Sequence, residues 1–179
     1  MKILCSGNPS HTTVASAVQR KFPTANFASR ASGFDLRFWD NGSEDFFKNQ
    51  IVNYNVFINS SFICKWAQLS LLEITVEEWK KCNIDGHIIN IGSTAEWLGC
   101  DSVYGDYSIQ KQALKDRSLQ LNGTQGIKVT HLILGGLNDG KPGHEQWLNL
   151  DIVADTIHWI LHNPAQVPLI ALQSTPKKS

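Results

Sequence analysis

The segment His87–Ser93, HIINIGS, decides the class of fold that this sequence can adopt. Its isoleucines are β-branched, and turn residues bound them, Asp85-Gly86 before and Gly92-Ser93 after. This pattern predicts a strand at His87–Ile91. Other short apolar runs that end in turn residues predict strands at Lys2–Cys5, Ala25–Ala28, Leu36–Trp39, Asn55–Asn59, Ile127–Leu134 and Pro168–Leu172.

Stretches with helical spacing of their apolar residues lie between these runs. They predict helices at Thr12–Lys21, Val76–Cys82, Ser108–Leu119 and Leu148–Leu161, and one more that begins with Ser43 as its N-cap. Apolar strands that alternate with helices form parallel sheets covered on both faces. We therefore expect an α/β protein with a doubly wound parallel sheet of the Rossmann type. It is expected to be a single compact domain over residues 1–175, with a short polar tail at 176–179.

The ends of the predicted strands locate a binding site. In doubly wound sheets, ligands bind beyond the carboxyl ends of the strands. The residues that stand at four of these ends are Gly7, Asn59, Ser93 and Gly135. We expect them to converge on one cleft.

Composition narrows the class of partner. Hydrophobic residues make up 42% of the chain, enough for a core, and Lys+Arg and Asp+Glu both number 16, so the net charge is zero. This balance argues against nucleic acid or an anionic membrane as a partner. The four cysteines lie far apart, so we expect no disulfides. The histidines, thiols and carboxylates do not have the spacing of metal ligands, so we expect no metal. No apolar run reaches membrane-spanning length and no signal peptide precedes the first strand, so we expect a cytoplasmic protein.

Tyr107 and Lys111 are the best candidates for catalysis, four residues apart at the start of a predicted helix. The spacing puts them on one helix face, where the ammonium would lower the pKa of the phenol. Such a phenol can exchange a proton with a substrate oxygen near neutral pH. Ser93, at the end of its strand, can hydrogen-bond to the same oxygen. The spacing alone also occurs by chance on surface helices, and its coincidence with the two strand ends makes this a candidate site.

On these residues, the sequence resembles the short-chain dehydrogenase/reductase family from Met1 to about Leu172. The matching segments are Ile88–Ser93, Tyr107–Lys111, Gly126–Gly136 and Asn59–Phe62, the last of which stands where the family usually has Asn-Asn-Ala-Gly. The resemblance implies hydride exchange between a nicotinamide cofactor and a small-molecule substrate. It also implies Tyr107 as the catalytic acid/base, Ser93 as the residue that orients the carbonyl or hydroxyl, and Lys111 as the residue that holds the ribose and modulates Tyr107.

The turn after the first strand departs from the family pattern. Where the family has Thr-Gly-x-x-x-Gly-x-Gly, the segment Ser6–Thr13 keeps only Gly7, and His11 and Thr13 replace the other glycines. These side chains narrow the approach to a pyrophosphate, whereas hydroxyls at a helix start can bind phosphate. The residues that the resemblance and the strand ends together assign to the cofactor are Gly7, Asn8, Ser10, His11, Thr12, Ser29, Arg30, Asp40, Asn59, Ser60, Ser61, Tyr107, Lys111, Gly135 and Gly136.

Residues after the second strand bear on the choice of cofactor. An acidic residue there would favour NAD(H), whereas the arginine of Ser29-Arg30 can pair with a 2′-phosphate. We expect NADP(H) to be preferred, with NAD(H) possible. A solvated surface arginine would also explain Arg30. Asp40, after the predicted third strand, either lines the adenine pocket by analogy or is an ordinary turn aspartate.

The segments around the expected substrate pocket are short. Trp97 follows Ser93 in the loop that would wall this pocket, so both residues are assigned to substrate binding. Little room remains between Gly136 and Leu148 for a cover, so either a bulky substrate reaches an open cleft or a partner subunit covers it. The resemblance implies a homo-oligomer, a dimer or tetramer. The alternative to an enzyme is a catalytically inactive nucleotide-binding, sensor or scaffold protein, which the lost glycines favour.

Overall fold

A parallel β-sheet forms the centre of the protein. The computed structural model describes residues 1–35, 41–62, 66–98, 103–124 and 126–174. The strands are β1 (Ile3–Ser6), β2 (Asn26–Ala28), β3 (Val56–Asn59), β4 (Gly86–Ile91), β5 (Ile127–Leu134) and β6 (Leu169–Leu172). All pairings are parallel and the order across the sheet is β2-β1-β3-β4-β5-β6. The order reverses between β1 and β3, so the predicted doubly wound sheet is confirmed.

Five helices connect the strands in the described part of the chain. They are α1 (Val14–Lys21), α2 (Asn41–Ile51), α3 (Ala67–Lys81), α4 (Gly105–Leu121) and α5 (Leu150–His162), and short 3₁₀ turns follow β2 at Arg30–Ser32 and β4 at Thr94–Trp97. None of the described helices is both long enough and apolar enough to cross a membrane. The predicted third strand at Leu36–Trp39, Asp40 and the tail at 176–179 lie outside the described residues.

The predicted helices exist, but their ends differ from the sequence pattern. The prediction of Ser43 as an N-cap is wrong, because α2 already begins at Asn41. The start predicted at Val76 is also wrong, since α3 begins at Ala67. Its first turns are buried on several sides, so their apolar residues do not show the one-sided helical spacing from which a helix is predicted. At α1 the backbone N–H of Thr13 donates to Ser16 Oγ at 3.1 Å, so the helix starts after Thr13 rather than at Thr12.

Side chains alternate between two cores along each central strand. Cys5 and Ile58 point to the side that α1 and α5 cover. Leu4 and Phe57 point to the side that α2, α3 and α4 cover. Because both faces are buried, the strands carry apolar residues at nearly every position, and polar residues cluster where the strands end. This arrangement leaves the carboxyl edge of the sheet as the place for a binding site.

Candidate functional site

The strand ends converge on a single large cavity of about 820 Å³. Residues that follow four neighbouring strands of the sheet line it, among them Gly7 after β1, Ser60 after β3, Ser93 after β4 and Gly135 after β5. The prediction of a common cleft is therefore confirmed. Asn59 itself is fully buried beneath the cavity rather than on its wall.

The turn after β1 forms one end of the cavity. Gly7 has φ +134, and a Cβ there would lie 3.1 Å from the Ala15 Cβ, so this position requires a glycine. The hydroxyl of Ser6 accepts backbone hydrogen bonds from Ser60 at 2.9 Å and Ser61 at 3.1 Å, which fixes the end of β3 against β1. The wall at this end is therefore rigid backbone.

The side chains that replace the family's glycines border the cavity and do not fill it. His11, Thr12 and Thr13 lie at the amino end of α1 and line the cavity together with Asn8. Ser10 is exposed and does not line it, and its backbone N–H donates to Asn8 Oδ1 at 2.9 Å. Helix amino ends favour anions, so this end suits a phosphate.

Tyr107 and Ser93 meet on the opposite wall. Tyr107 is in the first turn of α4, and its hydroxyl shares a hydrogen bond with the hydroxyl of Ser93. The Ser93 hydroxyl also accepts from the backbone N–H of Ala95 at 3.2 Å, which orients it. The Phe62 ring packs edge-on against the Tyr107 ring with their centroids 4.5 Å apart. Two hydroxyls thus face the cavity from fixed positions.

The pKa of Tyr107 is raised rather than lowered. Burial is the main cause, the hydrogen bond from Ser93 opposes it, and the charge of Glu96 adds to the increase. The expectation that the Lys111 ammonium lowers this pKa is wrong. The Lys111 Nζ lies 5.5 Å from the centroid of the Tyr107 ring, and Lys111 itself loses charge because it is buried. At neutral pH the phenol is therefore protonated.

Lys111 lies at the floor of the cavity, where buried groups accept hydrogen bonds from its ammonium. Its Nζ donates to Gln68 Oε1 and to the Ile91 carbonyl, each at 2.6 Å. Burial lowers the pKa of Lys111 to about 7, and the carboxylate of Glu96 opposes that decrease. An ammonium has three donors, so one remains beyond these two bonds for a group in the cavity.

A buried amide network supports Lys111, and the sequence analysis missed it. Gln68 Nε2 donates to the Asn59 carbonyl at 2.7 Å, and Asn59 Nδ2 donates to Asn90 Oδ1 at 2.9 Å. Asn90 Nδ2 in turn donates to Ser118 Oγ at 2.9 Å. The available signal was an asparagine within each of two apolar strands, because buried amides need hydrogen-bond partners.

The connection after β5 closes the far side of the cavity. Gly135 and Gly136 line it, and a Cβ on Gly136 would lie 2.8 Å from the Trp147 ring. The His144 ring stacks on Trp147 with their centroids 3.5 Å apart, and His144 Nδ1 lies 2.6 Å from Asp139 Oδ1. This short connection thus supplies an aromatic wall, which the sequence analysis did not foresee.

Some predicted site residues lie elsewhere. Ser29 and Arg30 lie at the 3₁₀ turn after β2, and neither lines the cavity, although Arg30 is exposed. Trp97 is 53% exposed and does not line the cavity, whereas its neighbour Leu98 does. Asp40 cannot be placed among the described residues.

Comparison with solved structures bears on the fold. Serine dehydrogenase from Escherichia coli superposes with a TM-score of 0.73 at 15% sequence identity, over 97% of this chain and 97% of that chain. An alcohol dehydrogenase from the archaeon Thermococcus sibiricus, complexed with 5-hydroxy-NADP, gives a TM-score of 0.73 at 14% identity over 100% and 99% of the two chains. A short-chain dehydrogenase from Sphingobium yanoikuyae in complex with NADPH gives 0.70 at 12% identity, over 94% and 87%.

This chain has the short-chain dehydrogenase/reductase fold. The likeness extends over nearly the whole chain in each case. No family model matches the sequence, and no curated protein is similar to it in sequence. Within this fold, Ser93 follows β4 and both Tyr107 and Lys111 lie on α4, and all three residues line the same cavity.

Proposed function

We propose that the protein is an oxidoreductase that interconverts a carbonyl and an alcohol in a small molecule with a nicotinamide dinucleotide. The observation that carries the proposal is the hydrogen bond between the hydroxyls of Tyr107 and Ser93, with Lys111 at the floor of the same cavity. Similar structures include a serine dehydrogenase complexed with NADP⁺ and a 4-hydroxyisoleucine dehydrogenase complexed with NADH and succinate. These similar structures support the proposed chemistry.

We place the dinucleotide in the cavity between the ends of β1 and β5. One end is the glycine cradle at Gly7 and the amino end of α1, and the other lies at Gly135 beyond β5. Backbone can approach a ligand closely at both ends, and the α1 end favours anionic phosphates. When bound, a nicotinamide supplies or accepts the hydride. Lys111 would direct its remaining donor to the cofactor or the substrate.

Each site residue has a distinct task in carbonyl reduction. The Tyr107 phenol donates its proton to the carbonyl oxygen, for which its raised pKa keeps it protonated at neutral pH. The Ser93 hydroxyl hydrogen-bonds to the same oxygen and stabilises the charge that develops there. The buried network under Lys111 keeps the floor of the cavity in place. In alcohol oxidation the same groups act in reverse.

Arg30 supports NADP(H) in preference to NAD(H). It is exposed at the turn after β2, where a guanidinium can pair with a 2′-phosphate. The test is titration with NADPH and NADH, followed by cofactor fluorescence, for the wild type, Arg30→Ala and a matched control, Arg20→Ala. Arg20 lies on the outside of α1 against Asp151. Arg30→Ala should weaken NADPH binding about tenfold and leave NADH binding unchanged, and an equal effect in both variants would contradict the assignment.

The walls of the cavity support a neutral, apolar substrate. Phe62, Leu98, Tyr104 and Trp147 line it and each is 40% to 53% exposed. The carboxylate of Asp139 lies within an ion pair with Lys141 at 2.5 Å and contacts His144. The expected substrate is therefore an aldehyde or ketone with an aromatic or bulky apolar group. Methyl 4-formylbenzoate should be reduced faster than 4-carboxybenzaldehyde, which differs from it by its charge.

The experiment that tests the function is NADPH-dependent reduction of this aldehyde by the wild type and Tyr107→Phe. The variant should lose turnover by about a hundredfold or more, because the proton donor is gone, while cofactor affinity stays within about twofold. The matched control is Tyr54→Phe, whose residue lies outside the cavity. Turnover that persists in Tyr107→Phe would overturn the assignment of the acid.

A second candidate function is a catalytically inactive nucleotide-binding protein. The observation that favours it is that the Lys111 ammonium is already held by Gln68 and the Ile91 carbonyl, at a pKa of about 7. A lysine so engaged is less available to a cofactor ribose. Tight NADPH binding with no turnover over a panel of aldehydes and ketones would support this function over the first.

A further inference from the structure

A buried carboxylate lies directly behind the candidate site. Glu96 is in the 3₁₀ turn that follows Ser93, and its side chain is fully buried. Its Oε2 lies 2.9 Å from Nε2 of His131, which comes from β5 and is also fully buried. The backbone N–H of Ser93 donates to the same carboxylate oxygen at 3.4 Å. The pair therefore links the residue that orients the substrate to the centre of the sheet.

The hydrogen bonds of the pair favour one arrangement of its proton. Among the described residues, His131 Nδ1 and Glu96 Oε1 have no hydrogen-bond partner. A neutral imidazole that donates from Nε2 leaves only a lone pair unmatched at Nδ1, whereas an imidazolium would bury an unmatched N–H donor. The first arrangement is the less costly one. The pair as a unit then carries one negative charge.

The residue that follows β4, Gly92, leaves room for the Glu96–His131 pair. A Cβ on Gly92 would lie 2.3 Å from His131 Nε2 and 2.9 Å from Glu96 Oε2, so only a glycine lets the two side chains meet beneath the strand. Gly92 directly precedes Ser93, whose hydroxyl bonds to Tyr107. A displacement of the pair would thus be transmitted to the reacting end of the site through one peptide unit.

Glu96 also acts electrostatically on both titratable members of the site. Its charge raises the pKa of Tyr107 and the pKa of Lys111. The other groups that face them are Ser93 and Tyr104 beside Tyr107, and Gln68 and the Ile91 carbonyl beside Lys111. Lys115 Nζ lies 3.9 Å from Glu96 Oε1 and is the cation nearest to the pair. Among these neighbours, Glu96 is the group that brings a negative charge.

We propose that Glu96, oriented by His131, is a positioning residue that fixes Ser93 and places a carboxylate behind Tyr107 and Lys111. This role rests on the proposed function. The charge of Glu96 helps to keep the Tyr107 phenol protonated, which is the form that carbonyl reduction requires.

The test is a pH titration of Lys111 that needs no cofactor and no turnover. In full-length protein labelled with ¹³C-lysine, the Lys111 Cε resonance should titrate near pH 7, where burial has moved its pKa. Lys111→Met assigns the resonance. Glu96→Gln has nearly the same shape and can accept the His131 hydrogen bond, but lacks the charge. It should lower the Lys111 midpoint by about one unit.

Two further variants complete the design. His131→Leu removes the partner that holds the Glu96 carboxylate in place behind Lys111, so the Lys111 midpoint should fall here too. Glu73→Gln removes a carboxylate from a surface ion pair with Arg117 and should leave the midpoint unchanged. An unchanged midpoint in folded Glu96→Gln, or in folded His131→Leu if Glu96→Gln does not fold, would overturn the proposal.

Activity then separates this inference from the proposed function. In an active enzyme, Glu96→Gln should move the alkaline limb of the pH profile for carbonyl reduction to lower pH, because Tyr107 then loses its proton more easily. An unshifted profile would overturn the catalytic part of the inference. If the wild type reduces no carbonyl compound, the proposed function fails, while the Lys111 midpoint still decides whether Glu96 exerts its charge.

Discussion

Lys111 makes the stability of this protein depend on pH in a way that a single substitution should remove. In the folded protein, burial lowers its pKa to about 7 from the ordinary value of 10.5. Between these two values the unfolded chain binds more protons than the folded one. The free energy of unfolding therefore rises with pH across this window, by at most about 1.4 kcal/mol per pH unit. Between pH 7 and pH 9 the increase is about 2 kcal/mol.

The variant that tests this is Lys111→Met. Methionine fills much of the same space without a charge, but it leaves Gln68 Oε1 and the Ile91 carbonyl without the ammonium that now bonds to them. That loss is about 1–3 kcal/mol and is the same at every pH, so it changes the stability but not its slope. The change in slope therefore reports the titration of Lys111 alone.

The assay is urea unfolding at pH 7, 8 and 9 for the wild type, Lys111→Met and a control, Lys80→Met. Lys80 is exposed on α3, so the control loses one lysine without losing a buried one. The wild type and the control should gain about 2 kcal/mol from pH 7 to pH 9 relative to Lys111→Met. Parallel pH dependences for all three proteins would refute the reasoning that burial has shifted this pKa.

Two further predictions concern an acid-side titration and assembly. Burial, aided by the charge of Lys128, lowers the pKa of His87 to about 4, so stability should fall by about 2 kcal/mol between pH 7 and pH 4.5 as the unfolded chain takes up the proton. His87→Gln should remove that part of the acid sensitivity in urea titrations, and an unchanged loss would contradict it. We also expect a homo-oligomer, because α4 leaves Ile109 and Leu119 exposed on its outer side. Light scattering should then give at least twice the 20.0 kDa of the chain, and a monomer would contradict this expectation.

The sequence alone determined the sheet and the general place of the site. Apolar runs that end in glycine and serine predict parallel strands, and β4 and β5 lie within one residue of the predicted ranges. The Tyr107–Lys111 spacing and the position of Ser93 after a strand predicted that the three residues share one site, and all three line the same cavity. These features are local: they depend on residues that are near one another in the chain and on the geometry of parallel sheets.

Only the tertiary structure decided the hydrogen-bond partners and the pKa values of the site residues. Gln68 and Lys111 are 43 positions apart in the chain, and Glu96 and His131 are 35 apart, so no local pattern pairs them. The predicted direction of the shift in the Tyr107 pKa was wrong for the same reason. The lysine spacing can be read from the sequence, but the burial of the phenol and the nearby carboxylate cannot. A pKa depends on how far a group is desolvated and on the charges that folding brings near it, and both are set by segments distant in the sequence.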